Sequence, residues 1–351
     1  MYPRKIFFIG MIFVFLIAYS ACLLAQNTLT VGQVTAKPGE SQSGFILVPP
    51  GKDGPEVYIP ITIVNGVKAG PVLALVAGIH GYEYPPVLAM QQLVKTLKPE
   101  TLSGKVIIVH VANVPSFFKR TVYYNPCDGM NLNRAFPGKS DGSMCERIAY
   151  AITKEVIDRC DYLIDNHCGD GNEDLLPYLY CTEIGDPVVD QKTQQLALHY
   201  GLKVIVRDAT RPKDKRLSVY CANTALLRGK PSLTIESGKL GRTDAEDVIR
   251  IVNGTTNILK HLRMIEGEPA LIFDPVWVTQ YTIIQAEKNG LFYPLVHRGQ
   301  HVQKNELVGY LTDFFGNTIQ KVEAPYDGMV LYIIATPPMS QGEPIASIGR
   351  F

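Results

Sequence analysis

Val72-Leu73-Ala74-Leu75-Val76-Ala77 is a run of six apolar residues without a polar break, followed at once by Gly78. A half-buried strand would alternate polar and apolar residues, so an unbroken run reads as a strand covered on both faces. The pattern recurs. Lys105–Val111, Tyr162–Asp165, Lys203–Val206 and Ser232–Glu236 read as further strands, with helical stretches between them. Pro85 opens a helix to about Leu97, and Asp186-Pro187 opens another that Gly201 is placed to end. Ser143-Met144-Cys145-Glu146 and Thr243-Asp244-Ala245-Glu246 are both capping boxes, predicting helices to about Arg159 and Arg263. Buried strands separated by helices predict an α/β domain whose sheet carries helices on both faces.

Past Glu266-Gly267-Glu268-Pro269 the texture changes. Short β-like runs are broken by Gly290, Pro294, Gly299, Gly309, Gly316, Pro325, Gly328 and later glycines and prolines, which predicts a small all-β domain over 268–351. Residues 27–65 are also β-like and lead into the main sheet of a catalytic domain spanning 26–267. Upstream, Arg4 and Lys5 precede the uncharged stretch from Ile6 to Ala18, and small residues follow by Ala25. A basic start, a short apolar core and a small-residue cut site predict a signal peptide over 1–25. The other readings are a retained anchor, since Ile6–Ala25 just spans a bilayer of ~30 Å, and a lipoprotein cut before Cys22. All three predict an exported protein, periplasmic or extracellular, that meets a membrane only if the segment is kept.

With 34 Lys and Arg against 33 Asp and Glu, the chain has no cationic excess to track a phosphate backbone, which excludes a nucleic-acid partner. Six cysteines remain after the predicted cut: Cys127, Cys145, Cys160, Cys168, Cys181 and Cys221. An even number permits disulfides in an oxidising compartment, but no CxxC occurs, so neither a zinc knuckle nor a redox motif is indicated. Most read as small apolar residues.

The chemistry lies at strand ends. His80 and Glu83 stand three apart in Gly78-Ile79-His80-Gly81-Tyr82-Glu83, directly after the first buried strand. His167 follows another, in Asp165-Asn166-His167-Cys168-Gly169-Asp170. Loops that leave the strand ends of an α/β sheet line its ligand crevice, so the two can converge. Two His and one carboxylate form a catalytic zinc set with an open position, whereas closed structural sites favour Cys. His110 reads instead as a hydrogen-bonded structural histidine, and His199, His261, His297 and His301 as solvated or structural. Glu236, ending Ser232-Leu233-Thr234-Ile235-Glu236 before Ser237-Gly238, suits a residue that takes a proton from water and returns it to a leaving amine. Arg134 with Asn133, in a Gly- and Pro-rich loop, offers planar donors for a carboxylate.

His80-Gly81-Tyr82-Glu83, Asn133-Arg134-Ala135-Phe136-Pro137-Gly138, Asp165-Asn166-His167 and Ile235-Glu236-Ser237-Gly238 occur in the order used by the succinylglutamate desuccinylase/aspartoacylase family, a branch of the zinc carboxypeptidase superfamily. The loop Arg120–Gly129 also looks like that branch. The resemblance covers about residues 60–265 and implies a mixed sheet of zinc carboxypeptidase type. It further implies one Zn2+ on His80, Glu83 and His167, with Glu236 as general base and acid. Asn133 and Arg134 would hold a substrate carboxylate, and Arg120 would stabilise the oxyanion. One departure is Asn131, where many superfamily members carry an Asp behind a zinc histidine; an amide supports the imidazole with less charge. The C-terminal domain resembles the barrel-like domain beside the active-site mouth of such enzymes, and a lid or size filter is its expected role. It also has a lipoyl-like glycine pattern, but the turn Phe314-Phe315-Gly316-Asn317 lacks the lysine a carrier needs.

These readings predict a zinc-dependent hydrolase that removes an acyl group from a small, carboxylate-bearing N-acyl amino acid. The alternatives are a secreted zinc carboxypeptidase or cell-wall peptide hydrolase using the same residues on a peptide, and a binding protein that has kept the cleft but not the chemistry.

Overall fold

The computed structural model describes residues 28–351 apart from Asp53. The predicted export segment lies outside the described residues. Among those described, no helix is long and apolar enough to cross a membrane.

After a hairpin of β1 (Leu29–Val31) and β2 (Val34–Ala36), nine strands build the main sheet. They are β3 (Glu40–Val48), β4 (Val57–Asn65), β5 (Lys68–Ala77), β6 (Ser103–Val109), β7 (Tyr162–His167), β9 (Tyr178–Thr182), β10 (Val204–Asp208), β11 (Ser232–Glu236) and β12 (Val276–Val278); the short β8 (Glu173–Leu175) stands outside it. The order across the sheet is β12-β10-β9-β11-β7-β5-β6-β4-β3. The central strands β6, β5, β7 and β11 are parallel. β4 and β9 join them antiparallel on either side, so the sheet is mixed.

The period-2 pleat of β5 sends successive side chains to two separate cores. Leu73, Leu75 and Ala77 pack with Leu93 of α1 (Tyr84–Thr96), Leu196 of α4 (Pro187–Tyr200) and Ile251 of α6 (Ala245–His261). Ala74 and Val76 pack on the other face with Ile148 and Ile152 of α3 (Met144–Glu155) and Ala225 of α5 (Cys221–Leu226). One further short helix, α2 (Val114–Lys119), lies between β6 and α3. The helices therefore cover both faces, as the unbroken apolar runs require. The first capping box forms, with Ser143 and Glu146 each satisfying the other's backbone N–H. The second does not. Asp244, not Thr243, is the cap residue of α6 and makes no side-chain cap bond, because Arg242 and Lys239 hold its carboxylate. α3 is also shorter than expected, ending at Glu155 before a 3-10 turn over Ile157–Arg159.

The chain beyond 268 does not leave the main sheet at once. β12 returns to pair with β10, and the all-β region begins only at β13 (Gln280–Gln285). Two sheets follow. One contains β13, β15 (His301–Val302), β18 (Gly328–Ile334) and β20 (Pro344–Arg350); the other contains β14 (Gly290–Pro294), β16 (Leu307–Thr312), β17 (Thr318–Glu323) and β19 (Pro338–Met339). They share a core around Phe292, Val308, Leu311 and Ile333. β8, just beyond His167, pairs with β18, and Arg298 Nη1 lies 2.8 Å from Asp174 Oδ1. The β region is thus stitched to the loop that carries a candidate ligand.

Candidate active site

Parallel pairing brings the C-terminal ends of β5, β7 and β11 to one edge of the sheet. Ala77 is in register with Asn166, and His167 with Glu236. The loop from Gly78 to Glu83 leaves that edge beside His167. Gly81 is required there, since a Cβ would come within 2.5 Å of the carbonyl oxygens of Ser116 and Thr121. Antiparallel β9 starts at the same edge, with Tyr178 opposite Glu236. Each candidate side chain is set by a strand end or by a loop tied to one, which fixes it better than a free loop would.

The three predicted ligands converge. His80 Nδ1 and His167 Nδ1 lie 2.8 and 2.7 Å from the same oxygen, Glu83 Oε1, while Glu83 Oε2 accepts from the His80 backbone N–H at 3.0 Å. Behind the rings, His80 Nε2 is 3.1 Å from Asn131 Oδ1 and His167 Nε2 is 3.2 Å from Asp165 Oδ2. Asn131 Oδ1 also accepts from the Asn133 N–H, which fixes that atom as the oxygen. All four ring nitrogens thus face oxygen acceptors. Burial opposes charge on both imidazoles, yet Glu83 outweighs it and raises both pKa values; beside His167, Asp165 adds to the effect. Burial likewise opposes charge on Glu83, and the two imidazoles more than reverse it, leaving its pKa well below the usual carboxylate range. One ligand atom from each of His80, Glu83 and His167 lies within 4.8 Å of the others. That is the donor set of a divalent ion such as zinc, with Asn131 and Asp165 set behind the outer nitrogens. The residues present fit the metal.

Around this cluster lies a cavity of about 440 Å³ lined by His80, Glu83, His167 and Glu236 and by Asn131, Asn133 and Arg134. Burial raises the Glu236 carboxyl to about 8, with Glu83 and Glu173 adding to the rise against the opposing pull of His167. Asn133 reaches the cavity with its amide engaged: Oδ1 accepts from the Cys221 N–H at 2.9 Å, and Nδ2 is 3.3 Å from His167 Nε2. Arg134 is stacked 4.6 Å over the Tyr220 ring. Arg120 is not brought to the cavity. It is exposed at the C-cap of α2 in a left-handed conformation, near Tyr84. The guanidinium found in the cavity beside Arg134 is that of Arg211, which the sequence reading missed.

Also missed were the tyrosines. Tyr178 and Tyr180 of β9 line the cavity with Thr182, while Leu179 and Cys181 face the core, an alternation that was a readable strand signal. Tyr281, Ile283, Gln285, Tyr332 and Pro344 of the β region complete the wall, so that region is part of the pocket and not only its neighbour. His110 is structural as expected, with Nε2 2.8 Å from Thr62 Oγ1. The six cysteines from Cys127 to Cys221 are free thiols, and all but Cys127 are buried.

Glu173 gives a pH-dependent prediction. Its carboxylate accepts from Tyr123 Oη (2.9 Å) and from the Asp170 N–H (2.9 Å), but burial, with Asp170 adding, raises its pKa to about 7. A carboxyl raised in the folded state destabilises the fold as pH rises from the unfolded value of about 4.3 towards 7, because the unfolded chain ionises first. Glu173→Gln is expected to raise the melting temperature at pH 8 by on the order of a few °C and to leave it unchanged at pH 4. An unchanged difference across that range in thermal melts would show that Glu173 is ionised without penalty.

Residues 69–262 match the succinylglutamate desuccinylase/aspartoacylase catalytic domain. The chain is 30% identical over 323 residues to the N-alpha-acetyl-L-2,4-diaminobutyric acid deacetylase of Halomonas elongata, covering 88% of this chain and 91% of that one. Among solved structures, the product-bound ectoine utilization protein EutE (DoeB) of Ruegeria pomeroyi superposes with a TM-score of 0.78 at 26% identity, covering 89% of this chain and 95% of that one. A succinylglutamate desuccinylase/aspartoacylase of Rhodobacter sphaeroides gives 0.76 at 26% identity, covering 88% and 95%. The sheet is that of a mixed α/β protein of the kind the four motifs resembled. The chain belongs to the succinylglutamate desuccinylase/aspartoacylase family.

Proposed function

We propose that this protein is an exported, zinc-dependent hydrolase that cleaves the amide bond of a small N-acyl amino acid. The observation that carries this reading is the convergence of His80, Glu83 and His167 in one cavity with Glu236, in register beside His167 on the neighbouring strand. A zinc ion on these three residues would supply a Lewis acid for the amide carbonyl and a water acidified towards neutrality. Asn131 and Asp165 hold the ligand rings so that their Nδ1 atoms face the ion's place. Glu236, in register with His167 on the neighbouring strand, takes the water's proton and returns it to the departing nitrogen. Arg134 orients a substrate carboxylate through its guanidinium. The enclosing wall from the β region, with Tyr281 and Tyr332, limits substrate size and supports a small acylated amino acid over a long peptide. The names of the Halomonas relative, a deacetylase, and of the family support the same reaction class. Export is supported by the basic and apolar N-terminal segment.

The test is a substrate panel on the zinc-loaded protein. Release of acid from N-acyl amino acids, with peptides inert, is the expected result. Release of C-terminal residues from peptides, with N-acyl amino acids inert, would establish the carboxypeptidase reading instead. No hydrolysis of either by a fully loaded protein would leave only a binding function.

A further inference from the structure

The cavity has two cationic side chains besides its histidines, and both stack on one ring. Arg134 lies 4.6 Å and Arg211 3.8 Å from the Tyr220 centroid. They come from separate loops, one before α3 and one after β10, so neither places the other by chain proximity. Arg211 is held from behind: its Nε donates to Asp208 Oδ2 at 2.6 Å, and Asp208 is fully buried at 0% exposure. Asp208 is fixed in turn by the N–H (3.0 Å) and hydroxyl (2.6 Å) of Thr210. Arg134 donates one Nη to the Asn133 carbonyl at 2.8 Å. No carboxylate of the described residues is paired with Arg134, and Asp208 alone is paired with Arg211. Two like charges sharing a ring repel unless an anion joins them. Burial lowers the Arg134 pKa, and the charge on Arg211 lowers it further.

The charge count limits that anion. Two guanidiniums less the Asp208 carboxylate leave one positive charge, which a single carboxylate neutralises. No lysine lines the cavity, and its carboxyl groups are Glu83, Asp170, Glu173 and Glu236 near the ligand cluster. A second carboxylate on the substrate would find no further guanidinium or lysine in this cavity to pair it, and a carboxylate buried without a partner is costly.

We propose that Arg134 and Arg211, sharing Tyr220 and with Asp208 behind Arg211, form one clamp for a single carboxylate, so that the protein selects N-acyl amino acids bearing one carboxylate and rejects acidic ones. This rests on the deacylase reading above and narrows its substrate class within a family whose name covers both desuccinylation and aspartate deacylation. Arg211 and Asp208 thereby become specificity determinants: Arg211 touches the substrate, and Asp208 acts through it as a positioning residue.

The experiment uses the zinc-loaded full chain and matched pairs, N-acetylglutamine against N-acetylglutamate and N-acetylasparagine against N-acetylaspartate. It adds the best panel substrate as free acid and as methyl ester. The uncharged member of each pair is expected to win by about tenfold or more in kcat/KM, and equal or reversed preference overturns the proposal. Arg211→Gln is expected to raise KM for the free acid about 10- to 100-fold, the loss of one charged hydrogen-bonding partner, with most of the effect absent on the ester. Equal losses on acid and ester would make Arg211 a structural support of Tyr220 and overturn the clamp. Asp208→Asn, which leaves the site one charge richer, is expected to shift preference several-fold towards the acidic member of each pair; a fixed ratio in a folded, zinc-loaded variant counts against the charge argument. Failure of the wild-type chain to cleave any N-acyl amino acid would sink the deacylase reading itself, a result distinct from cleavage with the wrong charge preference.

Discussion

Glu236→Gln is expected to keep its zinc and lose turnover. Gln has nearly the same shape and ends the same strand, so the register of β11 with β7 and the opposition to Tyr178 are undisturbed. Glu236 is not among the three side chains whose donor atoms converge, so zinc content should stay at the wild-type level. What the amide cannot do is accept a proton from water and hand it to the leaving nitrogen, a function whose removal reduces kcat by about 10²–10⁴-fold. A second signature separates this from damage to the fold. Glu236 in the metal-free chain is raised by burial to about 8, so folding opposes its ionisation and stability falls as pH rises from the unfolded value of about 4.3 towards 8. The neutral amide removes that penalty. The metal-free variant should therefore be at least as stable as the metal-free wild type at pH 7.5, while the zinc-loaded variant is nearly inactive. Single-turnover and steady-state rates measured with zinc analysis on the same preparation decide the matter. Near wild-type kcat in a fully loaded Glu236→Gln protein would remove Glu236 from proton transfer.

The parts of this molecule that the sequence made legible are those where one local rule governs the outcome. The unbroken run Val72–Ala77 had to be covered on both faces, and two cores with helices do cover it. His80, Glu83 and His167 were readable because each stands at or just past the end of a buried strand, and parallel pairing then brings the strand ends together. The second capping box failed because capping competes with ion pairing: Arg242 and Lys239 draw the Asp244 carboxylate away from the helix start, a competition that spacing alone does not reveal. Arg211 was not legible for a different reason. Its role depends on Tyr220 and Asp208, and the stacking and the buried ion pair exist only once β10 and the following loop fold over the cavity. Arg120 shows the converse. A plausible residue type in a plausible loop is turned outward by the left-handed end of α2. Tyr332 and Tyr281 reach the cavity through the pairing of β8 with β18 and the packing beside β10, long-range contacts with no local signal.

His167→Ala and His80→Ala are expected to lose zinc alike but to differ in stability. Each removes one of the three donors, and the remaining His and Glu83 cannot hold the ion at micromolar zinc, so both variants should be metal-free and inactive after dialysis. The difference lies in what each ring leaves behind. His167 is buried between two carboxylates, with Nδ1 at Glu83 and Nε2 at Asp165, and both carboxylates are only 1% exposed. Its removal strands Asp165 without its imidazole and halves the support of Glu83. Removing one member of a buried charged set costs about 3–5 kcal/mol. His80 is more exposed, at 13%, and its outer nitrogen faces the neutral amide of Asn131, so no buried carboxylate loses its only imidazole when it goes. His80→Ala should therefore unfold at distinctly higher denaturant than His167→Ala when both are metal-free. Zinc analysis and denaturant melts on the pair give the answer together. One zinc per chain in either variant would show that the ion is held elsewhere, and equal midpoints would show that Asp165 finds another partner once His167 is gone.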